Sequence, residues 1–160
     1  MKVIYLDIDG VLNSRRYDLY ERTDVNAPID ESRAEMLAEL ARRTGAAVVL
    51  STSWRDHWER DVGAIDETGR KVFSVLERLG VRILDKTPRI SGALRSQEIR
   101  AHLREHPEID RFVILDDDPY DWGELSDCLV QTSYTRGRGF EAHHLQRALD
   151  ILGEETEGNA

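Results

Sequence analysis

Asp7 and Asp9 follow an apolar run near the start of the chain, in Leu6-Asp7-Ile8-Asp9-Gly10. In an extended segment residues two apart point to the same side, so the two carboxylates stand together. Burying them unpaired is costly, and a cation resolves the repulsion. Hard oxygen ligands suit Mg2+. A second acidic group, Asp116-Asp117-Asp118 with Asp121, follows another apolar run and can complete the metal shell. A tripled Asp directly after buried hydrophobics is not the pattern of a solvated acidic run. Turn capping is the competing explanation for Asp7 and Asp9 alone. Gly10 lets the chain turn tightly and approach a ligand closely.

Such residues need a scaffold that gathers strand ends. Five apolar, β-branched runs, residues 2–8, 46–50, 81–84, 111–115 and 129–132, predict strands. Several are near-continuous in Val, Ile and Leu, as expected for strands buried on both faces of a parallel sheet. Helical patterns lie between them. Asp30 caps a segment with Met36, Leu37, Leu40 and Ala41 on one face. Val72, Val75, Leu76 and Leu79 make a second stripe, stopped by Gly80. Ile99 and Leu103 mark a third, ended before Pro107; Leu145, Ala148, Leu149 and Leu152 mark a fourth. The alternation predicts an α/β fold with a mostly parallel sheet.

In such sheets ligands bind outside the carboxyl ends of the strands. The residues there are Asp7-Ile8-Asp9-Gly10, Ser51-Thr52-Ser53-Trp54-Arg55, Asp85-Lys86-Thr87-Pro88 and Asp116-Asp117-Asp118. Acids follow three of these runs and hydroxyls the other.

Composition narrows the class. The 160 residues are 40% hydrophobic and 33% charged, with a mean hydropathy of −0.52. One domain over residues 1–152 is expected, with a polar tail at 153–160 that frays. No run of about 18 apolar residues occurs, which excludes a transmembrane helix. The N-terminus lacks the apolar stretch and cleavage site of a signal peptide. The lone Cys128 makes neither an internal disulfide nor a zinc cluster, and a reducing cytoplasm is the expected location. A net charge of −9 and a pI near 5.0 argue against a scaffold that coats nucleic acid or anionic membrane. They do not argue against a phosphorylated substrate, because a bound metal reverses the local sign.

Nearly the whole chain resembles the haloacid dehalogenase (HAD) superfamily of phosphotransferases. The resemblance rests on Asp7-x-Asp9-Gly10-Val11-Leu12-Asn13 after the first strand, Ser51-Thr52 after the second, a downstream basic residue, and Asp116-Asp117 with Asp121. Ser51-Thr52-Ser53-Trp54-Arg55 and the stretch leading to Ile114-Leu115-Asp116-Asp117 are similar to the small phosphatase-type domain of nucleic-acid (RNA) repair proteins. The resemblance implies a Rossmann-like, doubly wound three-layer sandwich with a five-stranded sheet and no large cap.

It also implies roles. Asp7 is the nucleophile that accepts the phosphoryl group, and Asp9 is the general acid and base. Mg2+ is held by Asp7, the Asp9 backbone carbonyl and Asp117, with Asp116 or Asp121 in or beside the shell. Ser51 binds a phosphate oxygen, with Thr52 the close competitor and helix capping the alternative for either. The cation near the phosphate is Lys86 or Arg95, and position favours Arg95.

Trp54, Arg55, His57 and Trp58 are expected on a helix after the second strand. There Arg55 is placed to clamp a second phosphate and Trp54 to stack a base, core packing being the alternative for the tryptophans. Arg136-Gly137-Arg138-Gly139 is a flexible basic loop, and His143 and His144 receive no role. Residues 14–28 and 55–70 are too short for a lid domain, so the site is open. An open site suits a phosphate on a macromolecule such as an RNA or DNA end. The competing readings are a phosphatase for a small metabolite or phosphoprotein, a non-catalytic metal-dependent binding module, and a response-regulator receiver. The presence of Asp7, Asp9 and Asp117 weighs against the binding module. Receivers phosphorylate an Asp at a later strand end and lack the Asp-x-Asp-Gly opening.

Overall fold

A computed structural model describes residues 1–119 and 121–155. In chain order these form β1 (Lys2–Leu6), α1 (Glu31–Thr44), β2 (Ala47–Leu50), the short strands β3 (Trp58–Glu59) and β4 (Gly63–Ala64), and α2 (Glu67–Arg78). Then come β5 (Ile83–Lys86), α3 (Arg95–Glu105), β6 (Arg111–Asp116), β7 (Leu129–Gln131) and α4 (Ala142–Leu152). Single helical turns at Tyr17–Glu21, Ser53–His57 and Gly123–Cys128 fill connections.

Five strands form one parallel sheet in the order β5-β2-β1-β6-β7, while β3 and β4 pair as a separate antiparallel hairpin. A parallel sheet must be covered on both faces, and alternate side chains divide accordingly. Ile4, Leu6, Val48, Leu50, Val113 and Leu115 pack with residues of α1, α2 and α4. Val3, Tyr5, Val49 and Ile114 pack on the other side with Ile99 of α3, Trp122 and Leu125. The expected three-layer α/β sandwich is borne out. No large cap interrupts it: residues 14–28 hold one helical turn, and 55–70 little beyond the hairpin.

The third strand lies later than the apolar run suggests. Gly80 adopts φ +82° after α2, and the Val81 N–H donates to the Leu76 carbonyl at 3.0 Å. Val81 therefore closes the helix end. β5 begins at Ile83 and includes Asp85 and Lys86, which were expected beyond it. The start of the segment expected to fray is tied down. Lys2 Nζ donates to the Gly153 carbonyl at 2.6 Å, and the Glu155 N–H to that of Arg43 at 2.8 Å. Residues 156–160 lie outside the described residues. Among the described residues no helix is long and apolar enough to cross a membrane.

Register positions the chemistry. Leu6 pairs with Leu50 on one side and Leu115 on the other. Asp7, Ser51 and Asp116 therefore leave three adjacent strands at one level. Backbone bonds extend the ladder to them: Asp7 N–H to the Leu115 carbonyl at 3.0 Å and Ser51 N–H to that of Leu6 at 2.9 Å.

Candidate active site

Asp7 is 4% exposed and Asp116 fully buried. Carboxylate oxygens of Asp7, Asp116 and Asp117 all lie within 4.8 Å of one another. Burial, with the Asp116 carboxylate beside it, pushes Asp7 up to about 7 against the opposing pull of Arg95. Burial also raises Asp116 and Asp117. Arg95, the first residue of α3, places Nη1 2.6 Å from Asp7 Oδ2 and 3.0 Å from Asp116 Oδ2. Burial works against that guanidinium, but the two carboxylates outweigh it and hold it charged.

One guanidinium against three carboxylates leaves negative charge uncompensated. The donor set, all hard oxygens, fits a divalent cation such as Mg2+. Gly10 makes the cluster possible. It adopts φ +82°, and a Cβ there would meet Asp117 Oδ2 at 2.2 Å, so only glycine lets Asp117 lie against the turn.

Asp9 is exposed and held from two directions. Its Oδ1 accepts from Asn13 Nδ2 at 2.9 Å and its Oδ2 from Trp54 Nε1 at 3.0 Å. Asn13 Oδ1 in turn accepts from the Gly10 N–H at 2.9 Å, while Thr132 Oγ1 donates to the Gly10 carbonyl at 2.6 Å. These supports were not assigned from sequence. Asn13 carried a signal, an amide four residues after a turn carboxylate. Trp54 and Thr132 arrive from other strand ends, where no local spacing reveals them.

The two hydroxyls after β2 separate cleanly. Ser51 is 1% exposed and its Oγ has no hydrogen-bond partner. Thr52 Oγ1 accepts from the Trp54 N–H at 3.3 Å and caps the Ser53–His57 turn.

Several expected positions are corrected. Lys86 lies inside β5, opposite Leu50, and its Nζ donates to the carbonyls of Arg55 and Trp58 and to Glu59 Oε1 at 3.2, 2.7 and 2.9 Å. Those bonds spend its donors away from the acid cluster and leave Arg95 as the cation there. Arg55 is not free to clamp substrate. It is 5% exposed, with Nη2 2.9 Å from Glu98 Oε2 and Nη1 3.3 Å from Thr87 Oγ1. The segment carrying it is a tight turn rather than a longer helix, and Trp58 passes into β3, buried in the core. Trp54 donates its indole N–H to Asp9 and is half-buried against the core. Asp85 turns to His102 and Arg60, at 3.0 and 2.9 Å. Asp121 is exposed at φ 61° and stands outside the three-carboxylate group.

A groove of about 1020 Å3 opens beside Asp9 and Asp117 and reaches Tyr134, Arg136, His143 and His144. His144 also serves α4: its Nδ1 accepts from the Glu141 N–H at 3.0 Å.

Residues 3–144 match the family model of the HAD domain in Swiss Army Knife RNA repair proteins. The chain belongs to this family. Its sheet order, its buried Asp7 and its lack of a large cap agree with a HAD domain, and the family supports a hydrolase of phosphatase type. No curated protein and no solved structure matches the chain.

Two outcomes follow from this geometry. Arg55→Ala takes the guanidinium away from the buried Glu98 side chain, and should cost about 3–5 kcal/mol in denaturant unfolding. The pair-removing double variant Arg55→Met/Glu98→Leu should recover most of that; equal loss in both would show that the ion pair is not the cause. The second outcome concerns pH. The native carboxyl of Asp7 titrates near 7 against an ordinary 3.8. The native state thus holds more protons than the unfolded chain between these values, and Asp7 costs stability as pH rises through that window. A divalent cation offsets this only where the carboxylates are ionised. Excess Mg2+ should therefore raise the Tm more at about pH 8 than at about pH 5, with stabilisation of about 2.7 kcal/mol at ~100 times Kd. A shift of equal size at both pH values would contradict it.

Proposed function

We propose that this HAD domain is a Mg2+-dependent phosphomonoesterase that works through an aspartyl phosphate on Asp7, with a terminal phosphate of nucleic acid as its substrate. The observation that carries the reading is the shared level of Asp7, Asp116 and the unpartnered Ser51 hydroxyl, with Arg95 between the two carboxylates.

The residues divide the work as follows. The Asp7 carboxylate attacks phosphorus, and the bond from phosphorus to the leaving oxygen breaks. Asp9 gives that oxygen a proton. In the second half Asp9 takes a proton from water, whose oxygen attacks the same phosphorus; inorganic phosphate leaves and the Asp7 carboxylate is restored. Asn13 and Trp54 hold Asp9 in place through its two oxygens. Ser51 donates to a phosphoryl oxygen, and Arg95 turns from Asp7 toward the charge developing on the transferred group. Asp7, the Asp9 backbone carbonyl and Asp117, with Asp116 beside them, would hold Mg2+, which supplies charge neutralisation between nucleophile and phosphate when bound.

The nucleic-acid part rests on three supports. The family's description refers to RNA repair proteins. No large cap closes over Asp7, and the groove beside Asp9 and Asp117 is roomier than a small phosphoester needs.

Asp7→Asn should abolish turnover of a generic aryl phosphate in the presence of Mg2+ while the fold persists, because the near-isosteric amide cannot attack phosphorus. Undiminished turnover by that variant would remove the mechanism. Ser51→Ala should lower kcat/KM by roughly 10- to 150-fold, the loss of a hydrogen bond to a charged group. Thr52→Ala should instead cost about 1 kcal/mol of stability through its lost cap. Reversal of those two effects would exchange the roles of the hydroxyls.

A further inference from the structure

We propose that the outer wall of the groove is a binding track for single-stranded nucleic acid, with Tyr20 as a platform for a base and Arg15, Arg16 and Arg136 on the backbone phosphates. The proposal rests on the phosphatase reading above, because it takes the strand's terminal phosphate to lie at Asp7.

Continuity comes first. The groove that begins at Asp9 and Asp117 runs along the loop after β7 to Thr135 and Arg136. Thr135 also lines a second hollow of about 560 Å3, whose other walls are Arg15, Arg16 and Tyr20. The two hollows adjoin at Thr135 and lie in line from the acid cluster to the turn Tyr17–Glu21. Small-molecule pockets measure ~300–1,000 Å3, so the path is longer than one small phosphoester fills.

Charge changes sign along the way. The inner groove is lined by Asp9, Asp18, Asp117 and Glu141, whereas the outer rim, in a chain of net −9, gathers Arg15, Arg16, Arg136 and Arg138. The acid standing among them, Glu21, is shared between Arg16 at 3.8 Å and Arg138 at 3.2 Å. Among the described residues Arg15 and Arg136 have no acidic partner within ion-pair distance. Asp18, which lines the groove, accepts from the Tyr134 hydroxyl at 2.7 Å and faces Arg22 at 3.9 Å. A basic rim inside an acidic protein selects polyanions that reach this one place.

Tyr20 adds the second half of the recognition. Its side chain is 80% exposed, in a turn whose neighbour Leu19 is 59% exposed. Tyr17, three residues earlier, is anchored by its hydroxyl to the carbonyls of Ala27 and Ile29 at 2.8 and 2.9 Å. The turn is therefore pinned beneath an outward ring. An exposed aromatic flanked by arginines is the combination that holds single strands: bases stack on the ring and guanidinium groups follow the backbone.

The test uses the full chain and a single-stranded oligonucleotide with a terminal phosphate, in RNA and DNA forms. Binding to the Asp7→Asn protein is read by fluorescence anisotropy, and kcat/KM of the active enzyme is read on the oligonucleotide and on an aryl phosphate. Tyr20→Ala should lower kcat/KM on the oligonucleotide roughly 5- to 150-fold more than on the aryl phosphate. Tyr20→Phe, which keeps the ring, should restore most of it. Arg15→Ala in the Asp7→Asn background should flatten the plot of log affinity against log salt by about 0.7, one phosphate contact on a single strand. Equal losses on both substrates, or an unchanged salt slope, would overturn the track while leaving the phosphatase chemistry standing. Preference for a phosphopeptide over both oligonucleotides would overturn it too. If no substrate is turned over but Asp7→Asn binds the strand in a Tyr20-dependent way, the chemistry fails and the track stands.

Discussion

Asp7 and Asp116 end neighbouring strands at the same height, and strands in a sheet lie only about 4.8 Å apart. Two carboxylates at that separation, with a third from Asp117, repel strongly once water is removed. The surroundings answer that repulsion. Arg95 has to be the first residue of α3 to reach both acids, and Gly10 has to lack a side chain for Asp117 to lie where it does. The hydrophobic layers beneath hold the strand ends in register, so the acids cannot move apart. What remains after Arg95 is an excess of negative charge facing an open groove.

A second imbalance stands at the same level. The Ser51 hydroxyl is sealed from solvent and unpartnered, an arrangement that costs about 1–3 kcal/mol in an ordinary interior. Folded proteins tolerate such departures where a ligand relieves them. On the proposed mechanism a phosphate next to a divalent cation would relieve both: the cation would take up the carboxylate charge, and the phosphate would accept a hydrogen bond from the hydroxyl. Asp9 stands apart from this pair of imbalances, exposed yet held by Asn13 and Trp54, as suits the proton-transfer role proposed for it.

Much of this was legible in the sequence. The Val, Ile and Leu runs before Asp7 and Asp116 announce buried parallel strands, and the acids directly after them mark the strand ends where the site lies. Arg95 against Lys86 was decided by something less visible. Val81 reads as a strand residue but closes α2, which carries Lys86 back into β5 and away from the acids. Arg55 misled for a different reason. Its partner Glu98 is 43 residues away on another element, and nothing in Ser51-Thr52-Ser53-Trp54-Arg55 shows that this guanidinium is buried. Local pattern reveals which residues sit at strand ends; it does not reveal long-range partners that claim their side chains. The track over Tyr20 shares that limit, because its two walls come from opposite ends of the chain.

The central claim is that phosphorus becomes bonded to the Asp7 carboxylate during turnover. The direct measurement is to quench the Mg2+-loaded enzyme in acid while it turns over an aryl phosphate, reduce the acyl phosphate with borohydride, and locate the product by peptide mass spectrometry. Homoserine at position 7, dependent on substrate, is the expected result. Unmodified Asp7 in enzyme quenched during rapid turnover, together with inversion of configuration at a chiral phosphorus, would show that water attacks the substrate directly and would contradict it.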